Sequence, residues 1–475
     1  MKKVAIVGGG ITGLSCAYYI LKAGASDVEV TLFESTGVLG GKIKTVVDSQ
    51  GRIVEAGPDS IVTTKPAGIR LMKELGLEDQ IINPTTTKSF ILHGDVLRRI
   101  PPDFMSLVPK NMLGFLMSDL FSVRGKIRLL CEKWIRPAKK GEDESLGEFV
   151  TRRCGAEVSE RFAEPLFAGI FASNANEISI KASFPHWKNL EEKFGSITAG
   201  VLAQTVAPKS APTGTKHSAF ISLKGGMQRL VEALVDRLHG VRLRLNTAIS
   251  GMERRECGGY FLRTGTGEPE FFDSVVVATP AYVAASLLST MAPGVQEQLD
   301  RIAYTSTLIV SLVFARSDVA HLPNATGFVV SAKEKYSFTG CSWSSNKWEY
   351  RTGKDELLIR CFYGKAGNDE ISALPDNEIV ELATKELAEV LTLRDAKVRA
   401  VYVHRYPRAM PQYEVGHLDK IAELKKRLTI LPNVHLAGAA YGGVGIPDCV
   451  RQGMETAESV VSQMGGNSQK AALNL

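Results

Sequence analysis

The chain has 475 residues, 44% of them hydrophobic and 23% charged, enough to bury a sizeable core and to exceed one ordinary domain. Its net charge of +6 comes from Lys and Arg scattered along the sequence, with only short clusters such as Arg98-Arg99 and Lys425-Lys426-Arg427. That pattern suits a solvated surface and speaks against a nucleic-acid partner. The seven cysteines are odd in number and form no CxxC pair, which argues against a disulfide scaffold and against a metal site, and makes a reducing, cytoplasmic compartment the default. The amino terminus, MKKVAIVGGG, enters a strand at once instead of showing a signal peptide, and no run approaches the ~18 apolar residues of a membrane span.

Val4 to Val7 is a short apolar, β-branched run. Gly8-Gly9-Gly10-Ile11-Thr12-Gly13 follows and satisfies GxGxxG, Leu14 to Lys22 continues as a helix, and a second strand, Val28 to Phe33, ends at Glu34. Each part has a job in dinucleotide binding: Gly8 makes the tight turn, Gly10 lets a pyrophosphate approach the backbone, and Gly13 lets helix and strand pack. The helix start offers unpaired N–H groups and a positive dipole end to phosphate. Glu34 is placed to accept hydrogen bonds from both ribose hydroxyls. A glycine-rich turn in some other βαβ unit is the bland alternative, and strand, helix and terminal acid together outweigh it. The loop alone leaves NAD and FAD open. Ser35 to Lys42, STGVLGGK, adds Gly40 and Gly41 for close approach and Lys42 to reach the same phosphates. The pattern then breaks into Glu55-Ala56-Gly57-Pro58-Asp59-Ser60 instead of alternating strands and helices, which favours flavin.

Residues 104–135 read as an amphipathic helix pair, with Leu113, Phe115, Leu116, Met117, Leu120 and Phe121 among Lys110, Arg124, Lys126 and Arg128. The stripe is either a core-facing surface or an apolar dock for a membrane surface or substrate. Ser145-Leu146-Gly147-Glu148 fits a capping box before a helix over Phe149 to Arg153. Lys193 to Ser218, rich in Gly, Ala, Thr and Pro, reads as a connecting loop.

From Ser222 the nucleotide layer returns. A glycine turn feeds a helix within Leu223 to Leu238, and Val241 to Leu245 with Ala248-Ile249 reads as a strand beside the first layer. FFDSVVVATP, Phe271 to Pro280, ends in a small-residue turn that lets a cofactor pass. Residues 304–363 alternate in strand fashion and predict a mainly antiparallel sheet with one face available for a ligand. The third return is LAGAAYGGVGIPDCVRQG, Leu436 to Gly453: a strand over Val434 to Ala437, a glycine turn, and a helix opened by Pro447-Asp448. Gly438, Gly442, Gly443 and Gly445 leave space that side chains would fill. The Val444-Gly445-Ile446 backbone is then near the flavin end, where N–H groups stabilise negative charge. Cys449 reads as a packed thiol before it reads as a covalent flavin link, and residues 465–475 read as a frayed end.

VAIVGGGITGLSCAYYI, LFESTGVLGGK and VEAGPDS resemble the flavin-dependent amine oxidase superfamily. Ser145 to Pro185, with EPLFAGIFA at its centre, is more discriminating and is similar to the signature of the protoporphyrinogen/coproporphyrinogen oxidase family, as are MPQYEVGH and GVGIPDC. The resemblance runs in order along essentially the whole chain, and length and the GIPDC ending are most similar to the bacterial coproporphyrinogen III oxidase branch. Asn174, where relatives usually carry Gly, and Pro101-Pro102-Asp103, which lacks a frequent glycine, depart from the pattern and bear on local pocket shape, not on reaction class.

The fold class expected is α/β with an α+β substrate part. Residues 1–57, 222–288 and 425–475 form a Rossmann-like FAD-binding domain, 58–90, 206–221 and 289–424 a mixed or antiparallel-sheet substrate domain, and 91–205 a helical domain. The resemblance implies FAD-dependent, six-electron oxidation of coproporphyrinogen III to coproporphyrin III in haem biosynthesis. The expected scheme has non-covalent FAD, hydride passing to flavin N5, reoxidation by O2 giving H2O2 or by another acceptor, and handover of the product to the next enzyme. Protoporphyrinogen IX oxidation is the alternative inside the family. A carotenoid desaturase or amine oxidase, or a non-catalytic flavin or porphyrin carrier, is the alternative outside it.

No catalytic side chain is expected beyond the flavin; the chemistry asks for a large apolar pocket with charges at its rim for propionates. Cofactor contacts are expected from Gly8, Gly9, Gly10, Ile11, Thr12, Gly13, Glu34, Ser35, Gly41, Lys42, Gly57, Pro58, Asp59, Ser60, Ile249, Gly438, Val444, Gly445 and Ile446. Lys65 matches a basic position of the bacterial branch and is the choice for steering substrate carboxylates, against a plain surface lysine. Ile170, in AGIFA, either lines the pocket or belongs to the core. Arg98 and Arg99 have no positional support, and His404 and His417 read as structural.

Overall fold

The computed structural model describes residues 1–464 apart from 25–26, 103, 207–216, 266, 320–321, 332, 366–369, 392 and 394–395. Asp103, the 207–216 part of the expected connecting loop and the expected frayed end, 465–475, therefore lie outside the described residues.

A five-stranded parallel sheet organises the first layer, in the order Val241–Arg244, Val28–Phe33, Lys2–Val7, Ser274–Val277, Val434–Leu436. Both of its faces must be covered, and alternation along the strands shows that they are. Val4, Ile6, Val30 and Leu32 enter one core with the helices Ile11–Lys22, Gln228–Val235 and Ile446–Gln463. Ala5, Val7, Phe33, Val275 and Val277 enter a second, with Ala281–Leu288, Pro293–Asp300 and the small sheet of Ile249–Arg254, Tyr260–Thr264 and Glu270–Phe272. The register sets Val7 beside both Phe33 and Val277. The strands thus end level, and their following loops gather at the carboxyl edge, where open parallel sheets bind ligands.

A seven-stranded sheet forms the other layer, in the order Ala400–Pro411, Tyr304–Ala315, Glu356–Tyr363, Gly340–Trp343, Gly327–Val330, Phe90–His93, Val96–Arg99. It is antiparallel, as expected, except where Gly327–Val330 runs parallel to Phe90–His93. Leu308, Val310, Leu312, Ile359 and Cys361 pack with the helix Asp376–Leu391 on one face. Arg360 points from the opposite face toward Gly57, whose carbonyl it bonds at 2.5 Å.

The helix pair expected over 104–135 is instead a series of short pieces, Phe104–Ser106, Met112–Met117, Val123–Leu130 and Glu132–Trp134. Asn111 and Ser122 start new helices by accepting from the N–H groups of Gly114 and Gly125. The breaks turn Phe115, Leu120 and Phe121 into a core with Phe104 and Phe162, while Leu113, Leu116 and Met117 remain exposed. The capping box forms as expected: Ser145 Oγ accepts from Glu148 N at 3.2 Å and Glu148 Oε2 accepts from Ser145 N at 3.0 Å. Beneath that helix, buried Arg153 pairs with Glu132, which also accepts from Ser196 Oγ and the N–H groups of Ile197 and Thr198. These bonds seat a helix, Ile197–Val206, where a loop was expected.

Candidate active site

Four glycines of the first loop divide into two kinds. A Cβ on Gly13 would fall 2.0 Å from the Gly8 carbonyl oxygen, one on Gly8 (φ +114°) would lie 2.7 Å from Ala278 O, and one on Gly9 would lie 2.6 Å from Leu39. A Cβ on Gly10 meets nothing within 4 Å. The first three are required by the protein's own packing, whereas Gly10 keeps open a space the protein does not fill. Gly10 is also the N-cap of Ile11–Lys22 and supplies no side-chain cap, so the first-turn N–H groups stay available. Gly41 closes on Gly10 Cα to 3.2 Å, measured from its absent Cβ, and Gly40 N donates to Gly9 O at 2.8 Å. Glu34 ends the second strand at this loop, one carboxylate oxygen accepting from Gly9 N at 2.8 Å and the other from Thr36 N at 2.9 Å and Ser35 Oγ at 3.2 Å. Ile249 packs among the second core, and Thr247 N bonds Glu34 O at 2.8 Å, so that strand flanks the acid.

The second helix start is built differently. Gly445 caps Ile446–Gln463 without a side-chain bond, and that helix lies against the first through Gly453, whose Cβ position is 2.7 Å from Thr12 O. Gly438 (φ +140°) faces open space, with nothing within 4 Å of its Cβ position. The loop between is gripped by side chains. Tyr413 Oη accepts from Gly443 N at 2.7 Å and donates to Ala439 O at 2.7 Å, Arg451 donates to Gly442 O at 2.7 Å, and Gln452 accepts from Gly438 N at 3.3 Å. Tyr413 stacks on His417 with 4.0 Å between ring centres. Burial pulls the His417 imidazole down to about 4, helped by the Lys420 ammonium. Cys449 is buried and free, and burial pushes its thiol up.

Gly57 must be glycine, since a Cβ there would lie 1.9 Å from Lys42 O. Lys42 sends its buried ammonium to the Ala409 carbonyl and not along the first loop; burial lowers its pKa. The Asp59 side chain is likewise engaged within the protein. Its carboxylate bonds Lys347 at 2.9 Å and Trp348 Nε1 at 3.0 Å, with Arg360 at 3.7 Å. Burial alone would raise it, but Lys347 and Arg360 outweigh that and hold it well below the usual carboxylate range. Ser60 Oγ donates to the same carboxylate at 2.7 Å. The side-chain ends of Asp59 and Ser60 are therefore spent inside the protein, because Arg360 of the seven-stranded sheet and Lys347 of the short helix Ser344–Lys347 meet the carboxylate there. Pro58 is half-buried beside them, as are Val444 and Gly445 at the second loop, and Ile446 joins the first core.

Lys65 is half exposed and its Nζ lies 2.5 Å from Asp448 Oδ2. Ile170 is 48% exposed on the last turn of Glu164–Phe171, which excludes a core role. Arg98 is paired with Asp119 at 2.8 Å. Tyr413, Arg360 and Asp448 were not expected among the site residues, Asp448 being read only as part of a helix start. Their partners lie far along the chain, and only the MPQYEVGH and GVGIPDC segments hinted at the first and last.

Two uncapped helix starts and two glycine clearings, at Gly10 and Gly438, suit an extended ligand carrying phosphate at one end and an electron-rich ring at the other. Residues 11–461 match the family described as flavin containing amine oxidoreductase, and the chain belongs to it: it is a flavin-dependent oxidoreductase. Within that family it groups with the protoporphyrinogen/coproporphyrinogen oxidases. It is 35% identical to the coproporphyrinogen III oxidase of Bacillus subtilis (strain 168), over 95% of this chain and 96% of that one. It is 32% identical to the Staphylococcus aureus coproporphyrinogen III oxidase, over 98% and 100%. A solved Exiguobacterium sp. 255-15 structure named "Putative protoporphyrinogen oxidase" is 31% identical, superposes with a TM-score of 0.84, and is covered to 99% by 97% of this chain. A reduced UDP-galactopyranose mutase shares the fold, at TM-score 0.73 and 16% identity over 98% of this chain and 96% of that one. Among the described residues no helix is long and apolar enough to cross a membrane, and no group of three or more His, Cys, Asp or Glu is placed to hold a metal.

Proposed function

We propose that this enzyme oxidises coproporphyrinogen III to coproporphyrin III, with FAD as its cofactor and O2 as its acceptor. The observation that carries this reading is the identity of 35% over nearly the full length of a relative named for that activity. A porphyrinogen joins four pyrroles through sp3 methylene bridges, and its aromatisation removes six electrons and six hydrogens, which three O2 take up as three H2O2. Bound FAD supplies a two-electron, hydride-accepting ring that O2 can reoxidise. The chain's own residues bind and orient. The Gly8–Gly13 loop and its helix start would receive the pyrophosphate, with Glu34 toward the ribose hydroxyls. The backbone of Val444, Gly445 and Ile446 would offer N–H groups where negative charge develops. Lys65, half exposed beside that second start, would offer its ammonium to a substrate carboxylate.

Protoporphyrinogen IX has two fewer carboxylates, so the rim charge discriminates the two. A fluorescence assay that offers both porphyrinogens side by side to the flavin-loaded enzyme should show the higher kcat/KM for coproporphyrinogen III. The reverse preference would overturn the substrate assignment, and oxidation of neither would overturn the activity.

A further inference from the structure

Lys65 and Asp448 are separated by 383 positions in sequence, and the fold brings them to a contact of 2.5 Å. Lys65 immediately precedes the helix Pro66–Glu74. That helix is seated on the C-terminal one through Gly68, whose Cβ position is 3.1 Å from Pro447. Asp448 stands in the first turn of Ile446–Gln463, where the helix dipole favours a negative charge. It is only 7% exposed, while the Lys65 side chain is 51% exposed. The second loop is cleared around this carboxylate: a Cβ on Gly443 would lie 2.4 Å from Asp448 Cγ, and one on Gly445 3.1 Å from Oδ2. The acid is therefore part of the wall behind the glycine loop, and the ammonium leans out of that wall into solvent. A Lys–Asp pair with one open partner adds little stability. What it does is fix a place, because a lysine ammonium otherwise swings on a flexible four-carbon stem.

Resting on the reading of Lys65 as the residue that meets substrate carboxylate, we propose that Asp448 is a positioning residue that sets specificity through Lys65. It holds the ammonium at one point of the rim, beside the 443–445 backbone. An ammonium carries three N–H donors; Asp448 takes one, and the others remain for a carboxylate of the substrate. A macrocycle with four carboxylates can then be anchored at a fixed distance from the glycine loop, whereas one with two must present a carboxylate on the correct side.

The test uses the FAD-loaded enzyme with Lys65→Met, Asp448→Asn, the double variant and Asp448→Glu. Flavin absorbance and Tm report that each is folded and loaded. KM and kcat are measured for both porphyrinogens, and the Kd for coproporphyrin III is read separately by fluorescence. Asp448→Asn should raise KM and Kd for the four-carboxylate ligand about tenfold, the scale of a partly buried charge contact. It should leave kcat within about twofold and change protoporphyrinogen IX less. The double variant should be no worse than Lys65→Met. Asp448→Glu keeps the charge and moves it by one methylene, so it should fall between wild type and Asn; it decides the matter alone if the Asn variant loses its flavin. Multiplying effects in the double variant, a KM that falls on loss of Asp448, or a Glu variant identical to wild type would overturn the positioning role while leaving Lys65 its own. An unchanged KM in Lys65→Met would instead remove the reading of Lys65.

Discussion

The two helix starts of the cofactor layer look alike in composition and differ in how many side chains grip them. Gly10 and Gly445 are both N-caps without a side-chain cap. Around Gly10 the loop is shaped by absences, since Gly8, Gly9 and Gly13 each occupy a point where a Cβ would collide. Around Gly445, Gly443 likewise leaves no room for a Cβ, which would lie 2.4 Å from Asp448 Cγ, and the Tyr413, Arg451 and Gln452 side chains in addition take the loop's backbone groups. A loop fixed by absences writes its geometry into its own glycines. Where side chains also hold the loop, part of its geometry lies outside its own glycines, and that part can be removed one hydroxyl at a time.

The largest effect belongs to the first start. Gly13→Ala puts a methyl 2.0 Å from Gly8 O, so helix and strand must separate. The expected cost is about 3 kcal/mol, the upper end for overpacking, with loss of flavin. Gly10→Ala adds a methyl that touches nothing within 4 Å. The flavin-free protein should stay within about 1 kcal/mol of wild type, the difference between Gly and Ala at an N-cap, yet FAD affinity should collapse. Denaturant unfolding of the flavin-free proteins and FAD titration separate the two. Wild-type FAD affinity in Gly10→Ala would show that the clearing is not the cofactor's.

The second start carries a pH dependence through His417. Its imidazole is buried against Tyr413, and its value falls from 6.5 to about 4 by burial and the Lys420 ammonium, against Glu414, Asp143 and a bond to Ala440. The folded state holds it neutral, while the unfolded chain takes up a proton below pH 6.5. Its part of the stability is therefore complete above pH 6.5 and is lost as the pH falls toward 4, on the order of 3 kcal/mol in all. His417→Gln should flatten the decline between pH 7 and 4.5 in denaturant titrations. Parallel curves for wild type and variant would show that His417 does not couple to folding.

The same contrast explains what could be read from the chain alone. Val4 and Ile6 against Ala5 and Val7 are apolar on both sides, which marks a strand covered on both faces, and both cores are there. The box of Ser145 and Glu148 spans three residues and needs no tertiary information. Residues 104–135 misled because an apolar stripe hides caps as modest as Asn111 and Ser122. Asp59 and Ser60 were expected at the cofactor as part of the break from Glu55 to Ser60, and their side-chain partners were not foreseen. The Asp59 carboxylate is held by Lys347, Trp348 and Arg360, about three hundred residues away, and no local pattern reports such partners.

Tyr413→Phe is the smallest perturbation and the sharpest, because it keeps the stack on His417 and removes only the hydroxyl between Gly443 N and Ala439 O. A half-satisfied loop should cost about 2 kcal/mol, the scale of unpaired buried backbone groups. The lost contact orients the backbone that leads into Gly445, so FAD affinity should fall about tenfold for a difference of 1.4 kcal/mol. The midpoint potential of the bound flavin should move to more negative values, as N–H groups no longer face the charge of the reduced ring. Potentiometric titration and FAD release measure both. If neither moves while stability drops, Arg451 and Gln452 hold the loop unaided, and the second start is as self-sufficient as the first.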